Sequence, residues 1–526
     1  MMVVRKVLIA VCLAVVCLSA VSPLVSESRA DSSFTFAFAG DTGQYGASFG
    51  SGQNGTGSFV NSAASLQALP PGLSFFVDDG DISYNGTSNN FPPTGNEVLW
   101  CNFVKANIQA NLGPNFPWIQ VVGNHEDGNS TFAKDGYIDA FTSPNCLPKP
   151  AGIGFIPSTA GCPDTSLYSG CYGREGYWDF PVDRPIARFI MIAGGEKVGN
   201  GTTTTSYSYC PLATCNNLNF DRRWAWLKGV IDQAKTNGEW VIVFNHKPCL
   251  SPDLATSCEG NGTFNGHNPA AQTWNLFFSE GVDLVINGHA HIHARSKQLT
   301  CWGPAEPATS SLISVVYSPA CVADGESDNV YTKGKGVVNV IEGVFSQEDG
   351  QVNFTRPGTS YFATAMSART TPTVSPHVCC WVNGSTADMN SGIGFGEVTV
   401  STDQLSYNWQ MSLETRFLGD QAPTFSDAFV IRNDVPGQSS TLFGSISGFL
   451  TEHWTILAVA GAACVSIGIF TLRAIGSRRR KPSVVGLPAK SFPDTCSDRP
   501  NVIECLIPTR QELNLDRNVE VTIRLG

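Results

Sequence analysis

Eight side chains able to bind a cation stand where apolar runs stop: Asp41, Asp81, Tyr84, Asn124, His125, His246, His289 and His291. Asp41 follows the run 33–39 in Gly-Asp-Thr-Gly. Asp81 and Tyr84 lie three residues apart beyond the run Leu73–Val77 and Gly80. Asn124 and His125 follow Phe116–Val122 in Gly-Asn-His-Glu, and His246 follows Trp240–Phe244 in Asn-His-Lys-Pro. His289 and His291 follow Val282–Ile286 in Gly-His-Ala-His. Hard oxygen donors and borderline nitrogen donors in this number suffice for two adjacent metal ions. Two cations a few ångströms apart clamp a phosphorus centre for in-line attack, holding the nucleophile and neutralising phosphate oxygens. Asp81, in the middle of the set, is the natural carboxylate to bridge them. A single Gly-Asp says little, because both residues are common turn formers, and a lone strand-end histidine is usually a hydrogen-bonded surface residue. The weight lies in the conjunction: five blocks each end an apolar run, and they hold four of the eight histidines.

The elements that must position these residues are legible as alternating patterns. Residues 33–39, Ser-Phe-Thr-Phe-Ala-Phe-Ala, predict a strand. Phe59–Leu69 predict a helix that Pro70-Pro71 end, and a second strand then runs into Asp81. Strand–helix–strand with both strands closing on Gly-Asp is the pattern of a parallel pair with ligands at its carboxyl ends. Further helices are expected over 98–112, 221–235 and 269–279, and further strands over 116–122, 188–192, 240–244 and 282–286. Residues 143–175, rich in Gly, Pro, Ser and Cys, read as a disulfide-pinned loop insertion. Strands near 312–317, 337–344 and 393–400 have few titratable residues at their ends and read as a second sheet completing a sandwich. No internal repeat is visible.

Composition bounds the rest. The 526 residues are 42% hydrophobic and 15% charged, with ample material for a core. A net charge of -11 argues against nucleic acid as a binding partner, since nothing neutralises its phosphates. An anionic substrate would need a local source of attraction, such as a bound cation. Residues 1–30 carry the basic start, apolar core and small-residue site of a secretory signal. Trp454–Leu472 is 19 residues without a charge, followed by Arg473, Arg478, Arg479, Arg480 and Lys481, which predicts one transmembrane helix over 453–472 with a cytoplasmic tail. Twelve of the 17 cysteines fall between these segments, spread as a disulfide framework rather than as zinc knuckles. Close pairs such as Cys162/Cys171, Cys210/Cys215 and Cys249/Cys258 could close local loops. Seven glycosylation sequons, at Asn54, Asn85, Asn129, Asn200, Asn261, Asn353 and Asn383, lie there too and none in the tail. The expected organisation is a signal peptide (1–30), a catalytic domain (31–415), a stalk (416–452), the transmembrane helix and a cytoplasmic tail (473–526). That is a single-pass type I protein of the secretory pathway, catalytic domain lumenal or extracellular.

Taken in order, Gly-Asp-x-Gly, Gly-Asp-x-x-Tyr, Gly-Asn-His-Glu, the strand-end His246 and Gly-His-x-His resemble the calcineurin-like metallophosphoesterases, and among them the purple acid phosphatases. The resemblance covers about residues 33–410. It implies an α/β fold, an αββα sandwich of two mixed sheets flanked by helices, with a dinuclear site at the strand ends. It implies a first metal on Asp41, Asp81, Tyr84 and His291, and a second on Asp81, Asn124, His246 and His289. Many relatives carry Asp-x-His in the first motif; position 43 here is Gly, so that ligand is absent. Tyr84 stands where the resembling family places a tyrosinate, which implies Fe(III) in the first site and Fe(II), Zn(II) or Mn(II) in the second.

The resemblance further implies an acid phosphatase that hydrolyses phosphate monoesters, small molecules or phosphoproteins, by in-line attack of a metal-bound hydroxide. His125 is expected beside the phosphate as general acid or charge stabiliser; its other reading is to orient Asp81 by a hydrogen bond. His267 is the candidate for a further phosphate contact, although its spacing does not match relatives closely. His293 is expected to point away from the metals. Ile192-Ala193-Gly194-Gly195 stands where relatives often have an acidic strand end. Two other readings share this sequence: a phosphodiesterase or nucleotide hydrolase on the same site, and a catalytically silent receptor ectodomain that keeps the fold.

Overall fold

The computed structural model describes residues 33–42 and 72–82, most of 105–126 and 150–433, and three short strands within 496–523. Two compact units divide the chain, Met1–Pro436 and Gly437–Gly526. In chain order, the strands of the first unit that matter here are β1 (Phe34–Ala39), β2 (Phe75–Asp79), β3 (Trp118–Val121), β4 (Gly176–Phe180), β5 (Ala187–Ile192), β6 (Trp240–Asn245) and β7 (Leu284–Asn287). They continue with β8 (Ile292–Ser296), β9 (Val330–Thr332), β10 (Val338–Glu342), β11 (Phe362–Ser367), β12 (Gly394–Val400), β13 (Gln404–Met411) and β14 (Ala428–Arg432). The two long helices are α1 (Leu218–Asn237) and α2 (Pro269–Glu280).

The first sheet has seven strands in the order β9-β14-β13-β12-β1-β2-β3. Its β1, β2 and β3 are parallel, whereas β12, β13 and β14 add antiparallel. The second sheet runs β11-β8-β10-β7-β6-β5-β4, with two-residue strands extending both edges. Its β5, β6, β7 and β10 are parallel; β4, β8 and β11 are antiparallel. Both sheets are therefore mixed, as expected.

Period-two alternation explains the packing. Phe189, Met191, Ile242, Phe244, Leu284, Ile286, Val338 and Val340 face the first sheet, meeting Phe36, Phe38, Phe75, Val77, Ile119 and Val121 in one core. Their neighbours Ile190, Ile192, Val241, Val243, Val285 and Ile341 point the other way, onto Leu227, Val230, Ile231 and Ala234 of α1 and Ala271, Trp274 and Phe277 of α2. Strands buried on both faces read as continuous apolar runs, which is how this sheet announces itself in the sequence. The α1 helix begins three residues before the expected start because Asn217 caps it, its side chain accepting from the Asn219 and Phe220 amides. Lys105, Ala106, Ile108, Ala110 and Leu112 are helical and connect β2 to β3, as a parallel pair requires.

Several expectations change. The later strands do not form a sheet of their own: β10 joins the second sheet and β12 pairs with β1 in the first. The strand β14 lies in the stretch read as a stalk and is an integral part of the first sheet. A strand near 312–317 is not found in its described residues, Val316 and Tyr317. The three predicted close cysteine pairs are disulfides, and Cys301–Cys321 is a fourth. In the second unit the described residues form a three-stranded sheet, Cys496–Arg499, Val502–Cys505 and Glu520–Ile523. The expected signal, the helix at 59–69 and the apolar stretch 453–472 lie outside the described residues. Among the described residues no helix is long and apolar enough to cross a membrane.

Candidate metal centre

Parallel strands end together. The carboxyl ends of β1, β2 and β3 bring Asp41, Asp81 and Asn124 to one edge of the first sheet, and those of β6 and β7 bring His246 and His289 to the same edge of the second. Bonds between the sheets at this edge include two that set the site: the Gly40 amide donates to the Glu342 carbonyl at 2.7 Å, and His246 Nδ1 donates to the Asp79 carbonyl at 2.6 Å.

That second bond decides the chemistry of His246. A carbonyl only accepts, so Nδ1 carries a proton, and in the neutral ring Nε2 keeps its lone pair as a ligand. Nε2 lies 3.2 Å from Asp81 Oδ1 and 3.3 Å from Asn124 Oδ1. Ligand atoms of Asp81, His246 and His289 all fall within 4.8 Å of one another. On the other side, His291 Nε2 lies 3.0 Å from Asp41 Oδ1, and the His289 amide donates to Asp41 Oδ2 at 2.7 Å. Six of the seven predicted ligands are thereby brought together. Tyr84 lies outside the described residues, as does Gly43.

Close approach of backbone and ligand accounts for the glycines. A Cβ on Gly80, where φ is +89°, would stand 2.5 Å from His246 Nδ1. One on Gly123 would stand 2.2 Å from the Asp81 amide nitrogen. Neither ligand could keep its place beside a larger residue. Asp41, Asp81 and His289 themselves have φ of 58°, 51° and 66°, a region costing roughly 1 kcal/mol or more for such residues. Three of the seven described non-glycine residues with positive φ are thus predicted ligands, and strain of this kind fits a site held for function.

The electrostatics agree with a cation site. Asp81 is buried; burial alone would push its carboxyl up, but His246 and His125 outweigh this and hold it well below the usual carboxylate range. The imidazole of His246, which burial alone would push down, is raised well above its ordinary value by Asp81. The cluster thus draws positive charge onto its own histidine, a demand that a metal ion meets in place of the proton. The donor set, the His246 tautomer and this charge imbalance all fit a metal.

The His125 backbone amide donates to Asp81 Oδ1 at 2.9 Å, so the main chain takes part in orienting Asp81. The ring Nε2 lies 3.8 Å from Asp81 Oδ2. Burial pushes the His125 imidazole below its ordinary value. Glu126 closes its own turn, accepting the Gly123 amide at 2.9 Å. His267 sits in a tight turn bridged to Phe264, whose ring packs on Phe220. The acidic residue that Ile192–Gly195 lacks follows at once as Glu196, buried and paired with Lys247 at 3.0 Å. His293 indeed turns away from the metal donors and enters a buried network: Nδ1 pairs with Glu342 at 2.7 Å and Nε2 with Asp427 at 3.0 Å. Sequence reasoning missed Glu342, although Val338–Glu342 followed by Gly343 carries the same signal, an apolar run ending in an acid and a glycine.

The calcineurin-like phosphoesterase family matches residues 34–293, a span holding every predicted ligand. Purple acid phosphatase 18 of Arabidopsis thaliana is 25% identical over 186 residues, 35% of this chain and 32% of that protein. The match spans about a third of that relative's length. Among solved structures, a purple acid phosphatase from yellow lupin (Lupinus luteus) seeds is similar at 13% identity and a TM-score of 0.39, covering 77% of this chain and 55% of that one. An anchor protein of the inner membrane complex of Plasmodium is similar at 12% identity and a TM-score of 0.38, covering 76% and 90%.

Proposed function

With residues 34–293 a calcineurin-like phosphoesterase region, we propose that this chain is a dinuclear-metal acid phosphatase acting on phosphate monoesters. The observation that supports it best is the convergence of Asp41, Asp81, Asn124, His246, His289 and His291 from the ends of two sheets. Asp41, Asp81, Tyr84 and His291 would hold one cation, proposed as Fe(III). Asp81, Asn124, His246 and His289 would hold the other, Fe(II), Zn(II) or Mn(II). Bound there, the pair would acidify water and neutralise phosphate charge.

The chain's own groups do the rest. His246 donates Nδ1–H to Asp79 and presents Nε2 to the site. The His125 amide fixes Asp81, leaving the imidazole to deliver a proton to the leaving oxygen. A basicity lowered by burial restricts that proton to acidic pH. With a net charge of -11, the protein repels an anionic ester except at this cluster, so productive attraction is local. His267 has no part in this proposal. The membrane anchor belongs to it: Trp454–Leu472 and the basic residues after it support a single-pass protein with the site outside the cytosol.

The test is phosphate release by the full chain from p-nitrophenyl phosphate and from its bis-ester, with Asp81→Asn as control. Hydrolysis of the monoester at acidic pH, lost in Asp81→Asn, is the expected result. Hydrolysis of the bis-ester alone would replace the reading with a phosphodiesterase. No hydrolysis with metals supplied would leave the silent ectodomain, and equal rates in both proteins would make the assigned site wrong.

A further inference from the structure

Beneath the metal centre, between the sheets, lies a four-charge lattice that the proposed reaction does not use. His293 pairs with Glu342 at 2.7 Å and with Asp427 at 3.0 Å, and Arg295 Nη2 meets Asp427 Oδ1 at 2.7 Å. The first sheet adds neutral donors: Trp409 Nε1 to Glu342 Oε1 at 2.8 Å, and Tyr407 OH to Oε2 at 3.2 Å. Glu342 and His293 are fully buried. The lattice is continuous with one side of the site. The Glu342 carbonyl accepts the Gly40 amide at 2.7 Å, and a Cβ on Gly343 would stand 2.7 Å from Asp41 Oδ2. His293, opposite Glu342 in the β8/β10 pair, is two residues beyond His291, and the Gly343 amide donates to the Ile292 carbonyl at 3.2 Å.

We infer that Glu342 is a positioning residue for the Asp41/His291 half of the metal centre, clamped by His293 and Trp409 so that Asp41 from one sheet and His291 from the other meet a single ion. The inference rests on the two-metal reading. A side chain that only supported the fold would weaken both ion sites together. A residue acting through Gly40 and His291 weakens one.

The experiment measures Zn(II) affinity of the full chain by competition with a chromophoric chelator, in two backgrounds. His246→Ala retains the Asp41/His291 half, and His291→Ala retains the other. Glu342→Gln keeps the main-chain bond to Gly40 but loosens the side-chain clamp that holds this strand end, so it is expected to lower affinity about tenfold in the first background, the low end of the loss on removing a ligand's supporting partner. In the second background it should change affinity less than about threefold. Trp409→Phe keeps the Glu342 charge and removes one bond, so it supplies a milder variant if Glu342→Gln does not fold; the same one-sided loss, smaller, is expected. Equal losses in both backgrounds, or no loss in either while the unchanged protein binds two ions, would overturn this inference alone. An unchanged protein that takes up no metal would overturn the two-metal reading and this inference with it.

Discussion

Replacing Asp427 by Asn tests the buried lattice with almost no change of shape. In the folded protein Asp427 accepts from Arg295 Nη2 at 2.7 Å and lies 3.0 Å from His293 Nε2. Burial alone would raise its carboxyl, but the Arg295 charge and the His293 hydrogen bond outweigh this and hold it at about 2. Measured against an ordinary value of 3.8, that depression corresponds to about 2.5 kcal/mol. Glu342 and Asp427 balance His293 and Arg295, so the substitution leaves one buried positive charge uncompensated. Removing one partner of a buried pair costs about 3–5 kcal/mol. The expected loss is therefore about 3 kcal/mol, read as a shift of the urea midpoint of the first unit at pH 6. The pH dependence makes the test specific. Because the Asp427 carboxyl is depressed on folding, its contribution is complete above about pH 4 and is lost as pH falls through about 2. Asp427→Asn should flatten that acid slope. A loss below about 1 kcal/mol, or an acid slope unchanged from the natural protein, would refute the assignment of this stability to the lattice.

Three further outcomes follow from the same structure. His293 is raised to about 9, since Glu342 and Asp427 outweigh its burial, so its contribution is complete below about pH 6.5 and disappears as pH rises through about 9; urea midpoints from pH 6 to 10 should fall, and less so in His293→Gln. Gly80→Ala puts a methyl onto His246 Nδ1 at a left-handed residue, so Zn(II) affinity in chelator competition should drop at least tenfold, with about 1–3 kcal/mol lost in urea unfolding. His125→Gln should lower kcat about a hundredfold while bound metal, counted by atomic spectrometry, stays at the natural level; loss of metal instead would make the ring a ligand.

The sequence determined, by itself, everything whose cause is local. An apolar run, a glycine and a donor occupy adjacent positions, so the ends of β1, β2, β3, β6 and β7 and six donors could be read directly. The three short disulfides likewise close over a few residues. Tertiary structure decided what depends on distant partners. Nothing in residues 34–39 says that Phe38 pairs with Gly396 rather than with another extended segment, so the later strands read as one sheet although they divide between two. Asp427 lies in a Ser- and Gly-rich stretch that reads as a stalk, and only its burial against Arg295 makes it part of the core. Glu342 carried a local signal, but its role emerged only where His293 and Trp409 converge on it from different sheets. Periodicity and turn chemistry act over a few residues, whereas strand pairing and the partners of a buried charge are set by which surfaces the whole chain buries together.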